Sequence, residues 1–177
     1  MHCRPRGMRF VSSGSDPLRV VLMGVAGSGK TSVGLALAPL LGAGYLDGDD
    51  LHPPESIAKM RAGVPLTDAD RAPWLAQVGD LLAGPGRRIV GCSALKRSYR
   101  DIIRAHAGAP VTFVHLAGSR AVIAARMVGR QGHFMPASLL DSQFAALEPP
   151  GPDEDAITVD ITQPLPDLVA EIAAGLA

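Results

Sequence analysis

The stretch Gly24-Val25-Ala26-Gly27-Ser28-Gly29-Lys30-Thr31 constrains the fold of this chain more than any other. It matches G-x-x-x-x-G-K-[ST] in full, directly after the continuous apolar run of residues 19–23 and directly before a helical pattern over residues 30–41. Strand, glycine loop and helix in that order give the pattern its physical meaning. Glycines let the backbone curl until successive N–H groups point inward at phosphate oxygens. The N-terminus of the following helix adds a favourable dipole. Lys30 brings a point charge to the β- and γ-phosphates, and the Thr31 hydroxyl can ligate Mg²⁺. The cradle is therefore expected to run from Gly24 through Ser32 and to take a nucleoside triphosphate. Asparagine is absent from the chain, so the Asn-Lys-x-Asp guanine-reading pattern of switch GTPases cannot occur, and ATP is the expected nucleotide.

From residue 18 onward, short apolar runs alternate with helical patterns, as in a parallel sheet with helical crossovers. Candidate strands fall at residues 19–23, 44–47, 88–92, 111–116 and 156–160. Candidate helices fall at 30–41, where Pro39 should disturb the last turn, and at 54–62, closed by Gly63. Another runs from a Thr67 cap to about residue 82, with Asp70 placed as the acidic half of a capping box. Further helices are expected at 96–106, from a Ser119 cap to 129, at 136–147, and from near Pro166 onward. The expected class is α/β, a five-stranded parallel sheet with helices on both faces, forming one domain over residues 18–177. Its site belongs at the carboxyl ends of the strands. Residues 1–17, with Arg4, Arg6, Arg9 and a Ser-Ser-Gly-Ser run, read as a disordered tail and lack the apolar centre of a secretory signal.

Composition excludes several function classes. Lys plus Arg and Asp plus Glu are equal at 17 each, so no global basic field points to nucleic acid or acidic membranes. Aromatic residues are only 4%, too few for base-stacking platforms. The apolar runs fall far short of the ~20 residues a membrane helix needs. Two cysteines, Cys3 and Cys92, form no disulfide framework and suit a reducing, cytoplasmic setting. No His/Cys spacing resembles a zinc site.

The second candidate strand ends in Asp47-Gly48-Asp49-Asp50, which a doubly wound sheet would bring beside the phosphate loop. Asp49 is the candidate acceptor of a substrate hydroxyl proton, and Asp47 the candidate holder of a water on Mg²⁺. Asp50 fits an ordinary helix-capping role ahead of Pro53-Pro54. Lys59, Arg71, Lys96 and Arg100 are candidate partners for the carboxylate of a small anionic substrate, balanced against plain surface charge. Arg61 and Arg104 read as surface charge. Arg126 and Arg130 stand four apart in a helix–loop–helix segment of about residues 120–147, with Gln131-Gly132-His133-Phe134 following. Phosphoryl-transfer enzymes close such a lid and bring arginine to the transition state, although helix-end arginines also suit the dipole alone.

These segments resemble the small P-loop gluconokinases, relatives of shikimate kinases within the nucleoside-monophosphate-kinase-like fold. Besides the phosphate loop, the resemblance rests on Asp47 through Pro53, Ile57-Ala58-Lys59-Met60, and Pro65-Leu66-Thr67-Asp68 with Asp70-Arg71 and Trp74-Leu75. It continues through Cys92-Ser93-Ala94-Leu95-Lys96-Arg97, Tyr99-Arg100-Asp101, Gly132-His133-Phe134-Met135-Pro136 and Ser142-Gln143-Phe144 with Leu147-Glu148. It implies ATP and Mg²⁺ use, transfer of the γ-phosphate to the 6-hydroxyl of D-gluconate, and a homodimer. It also places Lys30, Asp49, Arg126 and Arg130 in catalysis, and adds His52 and His133 to Asp49, Lys59, Arg71, Lys96 and Arg100 around the substrate. Gly27 stands where the resemblance suggests serine, and the third strand ends Cys92-Ser93 without the acid many P-loop proteins place there, leaving Asp47 as the second metal anchor. Two alternatives stay open: a kinase for another hydroxy-acid such as shikimate, against which Ser93-Ala94-Leu95-Lys96 lacks a glycine run, and a nucleotide sensor without catalysis.

Overall fold

A computed structural model describes residues 16–129 and 137–177. Five strands form one sheet: β1 (Arg19–Met23), β2 (Gly44–Asp47), β3 (Arg88–Gly91), β4 (Thr112–Ala117) and β5 (Ala156–Asp160). The order across the sheet is β2-β3-β1-β4-β5, and every neighbouring pair is parallel. The α/β class expected from the alternation is therefore what the chain adopts. Among the described residues seven α-helices surround the sheet: α1 (Lys30–Leu40), α2 (Pro54–Arg61), α3 (Asp68–Ala83), α4 (Arg97–Ala107), α5 (Arg120–Val128), α6 (Ala137–Ala146) and α7 (Leu165–Gly175).

β1 shows why the sheet needs cover on both faces. Val20 and Leu22 join one core with Val33 and Leu37 of α1, Ile123 of α5 and Leu168 of α7. Val21 and Met23 join the other, with Trp74 and Val78 of α3 and Ile103 of α4. All four β1 side chains are fully buried. Burying each such side chain contributes ~1.5–3 kcal/mol, so neither face can be left open.

Local chemistry sets the helix ends. Thr67 Oγ1 accepts from the Asp70 N–H at 3.1 Å while Asp70 Oδ2 accepts from the Thr67 N–H at 2.9 Å, the reciprocal capping box expected from the sequence. Pro39 lies inside α1, which ends one residue later at Leu40. The tail expected over residues 1–17 lies, for residues 1–15, outside the described residues, as do residues 130–136 between α5 and α6. No helix among the described residues is long and apolar enough to cross a membrane.

Because β1 is central, its connection leads outward past β3 to β2, while β4 lies on its other side. That reversal opens a crevice at the carboxyl ends of the strands.

Candidate active site

The phosphate loop leaves β1 into this crevice. Its Gly24 N–H donates to Ser93 O at 3.2 Å, tying the loop to the end of β3. Gly27 and Gly29 have φ of 78° and 98°, left-handed values that a side chain would strain. At position 27 a Cβ would also stand 2.9 Å from Met127 Cγ, which packs over the loop from α5. Glycine there suits the local backbone and its neighbour alike. Lys30 Nζ donates to Gly24 O and Val25 O, both at 3.1 Å, so its ammonium lies across the loop. Ser28 is fully buried, and Ser32 is exposed on the first turn of α1.

The end of β2 lies alongside. Asp47 accepts from Thr31 Oγ1 at 3.1 Å and, through its other oxygen, from the Asp49 N–H at 3.0 Å. One carboxylate thus fixes both the hydroxyl at the start of α1 and the 3-10 turn Gly48–Leu51. Gly48 permits that turn, since a Cβ there would meet Gly91 O at 2.5 Å. The Trp74 indole N–H donates to Gly48 O at 2.7 Å, and the ring stacks on His52 with centroids 4.0 Å apart.

Asp49 lines the cleft with its side chain 71% exposed. Lost solvation first, then the neighbouring Asp47 charge, raise its pKa above the ordinary 3.8, with Lys30 opposing. His52 is buried and its pKa falls to about 4, through burial first and the Arg71 charge second. It is therefore neutral at pH 7, and its 3.8 Å approach to Asp49 is not an ion pair there. The Arg71 Nε is buried without a hydrogen-bond partner among the described residues. Lys30, Thr31, Asp47, Asp49, His52 and Arg71 line one cleft of about 680 Å³.

A second cleft of about 310 Å³ opens on the other side of the loop, sharing Gly27 and Gly29 with the first. Ser32, Arg126, Gln163 and Leu165 line it, and among the described residues no carboxylate does. This changes the expectation for Arg126. Its guanidinium donates to Ile161 O and, at 3.5 Å, to Ser28 O, behind the loop rather than in the cleft that holds Asp49.

The basic residues expected around a substrate divide in the same way. Arg71 lines the first cleft, whereas Lys59 donates to Asp70 at 2.7 Å and Lys96 to Asp68 at 3.0 Å, both outside its lining. Arg100 is a correction. Its side chain is fully buried, donating from Nε and Nη2 to Glu154 at 2.7 Å each and from Nη1 to the Ala94, Leu95 and Glu148 carbonyls. Its guanidinium is thus turned to protein acceptors and lines neither cleft. Arg104, expected as plain surface charge, also bonds Glu154 at 2.7 Å and lies 4.7 Å over the Phe113 ring. Arg130 and His133 lie outside the described residues.

Sequence reasoning assigned no role to Trp74, Ser93, Ser138, Ser142 or Gln143, all of which line the first cleft. Trp74 and Gln143 carried a signal, being in segments quoted for the family resemblance. Ser93 and Ser142 also lay in such segments, and Ser138 alone carried none. Among the described residues no group of three or more His, Cys, Asp or Glu side chains could hold a metal by itself. Thr31 and Asp47 instead offer hard oxygen donors beside the loop, which suits Mg²⁺ bound jointly with nucleotide phosphates and water.

Comparison with known proteins agrees with this geometry. No family profile matches the chain. The gluconokinase of Gluconobacter oxydans is 51% identical over 163 residues, covering 89% of this chain and 90% of that protein. The crystal structure of a gluconokinase from Sinorhizobium meliloti superposes with a TM-score of 0.85 at 52% identity, over 90% of this chain and 91% of that one. Shikimate kinase from Aquifex aeolicus, at 18% identity and a TM-score of 0.57 over 90% of this chain and 96% of that one, shares the fold alone. At 51% identity to a gluconokinase over 89% of its length, the chain belongs to the gluconokinase family.

Proposed function

We propose that this chain transfers the γ-phosphoryl group of ATP to the 6-hydroxyl of D-gluconate, giving 6-phospho-D-gluconate and ADP. The observation that carries the reading is the first cleft, where Asp49 and Arg71 stand with the phosphate loop in one cavity. Family membership supplies the substrate.

The nucleotide lies with its phosphates on the loop shared by the two clefts. The acid-free second cleft takes the nucleoside, because carboxylates there would repel the phosphates. Arg126 then contacts the nucleoside end, and Arg130 is the arginine proposed for the transferring phosphoryl group. The Gly27 and Gly29 amides of the loop and the Lys30 ammonium neutralise the phosphate charge. Thr31, and Asp47 through water, would hold Mg²⁺, which supplies further neutralisation of that charge when bound. Asp49 accepts the hydroxyl proton as the acceptor oxygen bonds to phosphorus and the bond to the ADP oxygen breaks. Its raised pKa brings its basicity closer to neutral pH. Arg71, whose buried Nε has no hydrogen-bond partner among the described residues, holds the gluconate carboxylate. Neutral His52 offers a hydrogen bond to a sugar hydroxyl, His133 is proposed to join it, and Lys59 and Lys96 reach the substrate only by leaving Asp70 and Asp68. The enzyme is further proposed to be a cytoplasmic homodimer.

A coupled ADP-release assay over a panel of sugar acids tests the reading. D-gluconate should turn over with ATP, while shikimate and nucleoside monophosphates are poor or inert. Shikimate turnover equal to or above that of gluconate would overturn it. ATP binding with no turnover of any acceptor would point to a sensor.

A further inference from the structure

One polar contact in the acceptor cleft belongs to none of these roles. The Ala26 N–H, at the crest of the phosphate loop, donates to Gln143 Oε1 of α6 at 2.7 Å, joining residues 117 apart in sequence. The partner decides the orientation of the amide. A backbone N–H can only donate, so the oxygen faces Ala26 and the NH₂ group is left over. That NH₂ has no partner among the described residues, and Gln143 lines the same cleft as Lys30, Asp49 and Arg71.

Docking of α6 does not require this bond. Leu140 is buried in the core, the Glu148 N–H donates to Leu95 O at 2.8 Å, and Glu148 Oε2 accepts from the Arg97 N–H at 2.7 Å. An amide–amide hydrogen bond adds only ~0.5–1.5 kcal/mol to stability. Its distinctive effect is positional: it holds a neutral double donor beside the crest of the loop, in the cavity that also contains the proposed base.

We propose that Gln143 is a catalytic residue. Anchored on Ala26 through its oxygen, it donates from Nε2 to an equatorial oxygen of the phosphoryl group in transit. The proposal rests on the phosphoryl-transfer reading of this cleft. The phosphoryl group passes from the ADP oxygen to the acceptor oxygen, the hydroxyl proton goes to Asp49, and Gln143 is unchanged. Charge in such a transfer spreads over the three equatorial oxygens, where a fixed donor acts most strongly in the transition state.

Two variants separate donor from anchor. Gln143→Glu keeps an acceptor for the Ala26 N–H but replaces the donor with negative charge, whereas Gln143→Ala removes both. Each is measured for kcat with gluconate, for ADP affinity, and for affinity toward ADP with tetrafluoroaluminate, which mimics the planar phosphoryl group. Unfolding midpoints are read on the same samples. Both variants should lose ~10²-fold in kcat, as for removal of one transition-state donor. The fluoride complex should weaken by a similar factor, with ADP affinity within about twofold of wild type. If Gln143→Glu keeps wild-type kcat and fluoride affinity while Gln143→Ala loses them, Gln143 is an anchor and the proposal is overturned. A lowered midpoint with unchanged kcat per folded molecule overturns it too. If the wild type fails to turn over gluconate, the functional reading has failed instead. The fluoride affinities without acceptor then still decide whether Gln143 donates.

Discussion

The acidic turn after β2 and the ion cluster around Glu154 are built from the same residue types and end in opposite states. Arg100 donates from all three of its guanidinium nitrogens, and Glu154 is held down to about pKa 2, first by those Arg100 hydrogen bonds. Around the acidic turn, lost solvation first and then Asp47 raise the pKa of Asp49, and the Arg71 Nε is buried without a partner among the described residues. The first group has used its hydrogen-bonding capacity within the fold. The second has kept it, at some cost to the protein alone. Charge left unmatched in a cleft marks function better than charge by itself.

Breaking the saturated cluster should give the largest effect. Glu154→Ala strands the buried Arg100 cation and should cost ~3–5 kcal/mol, read as a lower unfolding midpoint. Gluconate kcat per folded molecule should be unchanged. A depressed carboxyl pKa means that this stabilisation is full above the ordinary value of 4.5 and is lost as pH falls toward about 2. Wild-type stability should therefore fall across that window, and the Glu154→Ala variant should show a flatter acid limb.

Arg71→Ala takes a cation from the open site. Losing a charged hydrogen bond to the acceptor carboxylate should raise the gluconate KM by ~10–100-fold, with ATP KM within about twofold. Equal changes in both constants would mean that Arg71 shapes the cleft without meeting gluconate. Arg126→Ala should give the smallest change, raising ATP KM by ~10-fold with kcat nearly retained. A kcat collapse would return Arg126 to the transferring phosphoryl group.

The fold was largely readable because its signals are local. The β1 span, the phosphate loop and the Thr67–Asp70 capping box each depend on residues within one turn or one strand. The site was readable where a motif fixes the backbone, as at Lys30, Thr31 and Asp47. It was not readable where a partner far along the chain decides the outcome. Lys96 and Arg100 share the i, i+4 spacing of one helical face. That spacing does not reveal that Arg100 points inward to Glu154, 54 residues away, while Lys96 meets Asp68 at the surface. Arg126 and Arg130 likewise share a spacing, but the fold of residues 161–168 puts Arg126 on the second cleft. The Gln143 contact with the phosphate loop had no local signal at all.

Asp49→Asn tests the central division between saturated and open charge most directly. Turnover of gluconate, ATP binding and the unfolding midpoint are measured on one preparation at pH 7. The raised pKa means that the ionised carboxylate is disfavoured in the fold, so any stability it contributes is present below 3.8 and is lost as pH rises through its raised value. Removing the charge should therefore leave the midpoint unchanged or higher. The kcat should fall by ~10²-fold or more with ATP still bound, because the proton acceptor is gone. The acid limb of the wild-type kcat/KM profile, lying above 3.8, should vanish as well. Near-normal turnover with a lowered midpoint would contradict the account and make Asp49 a structural cap.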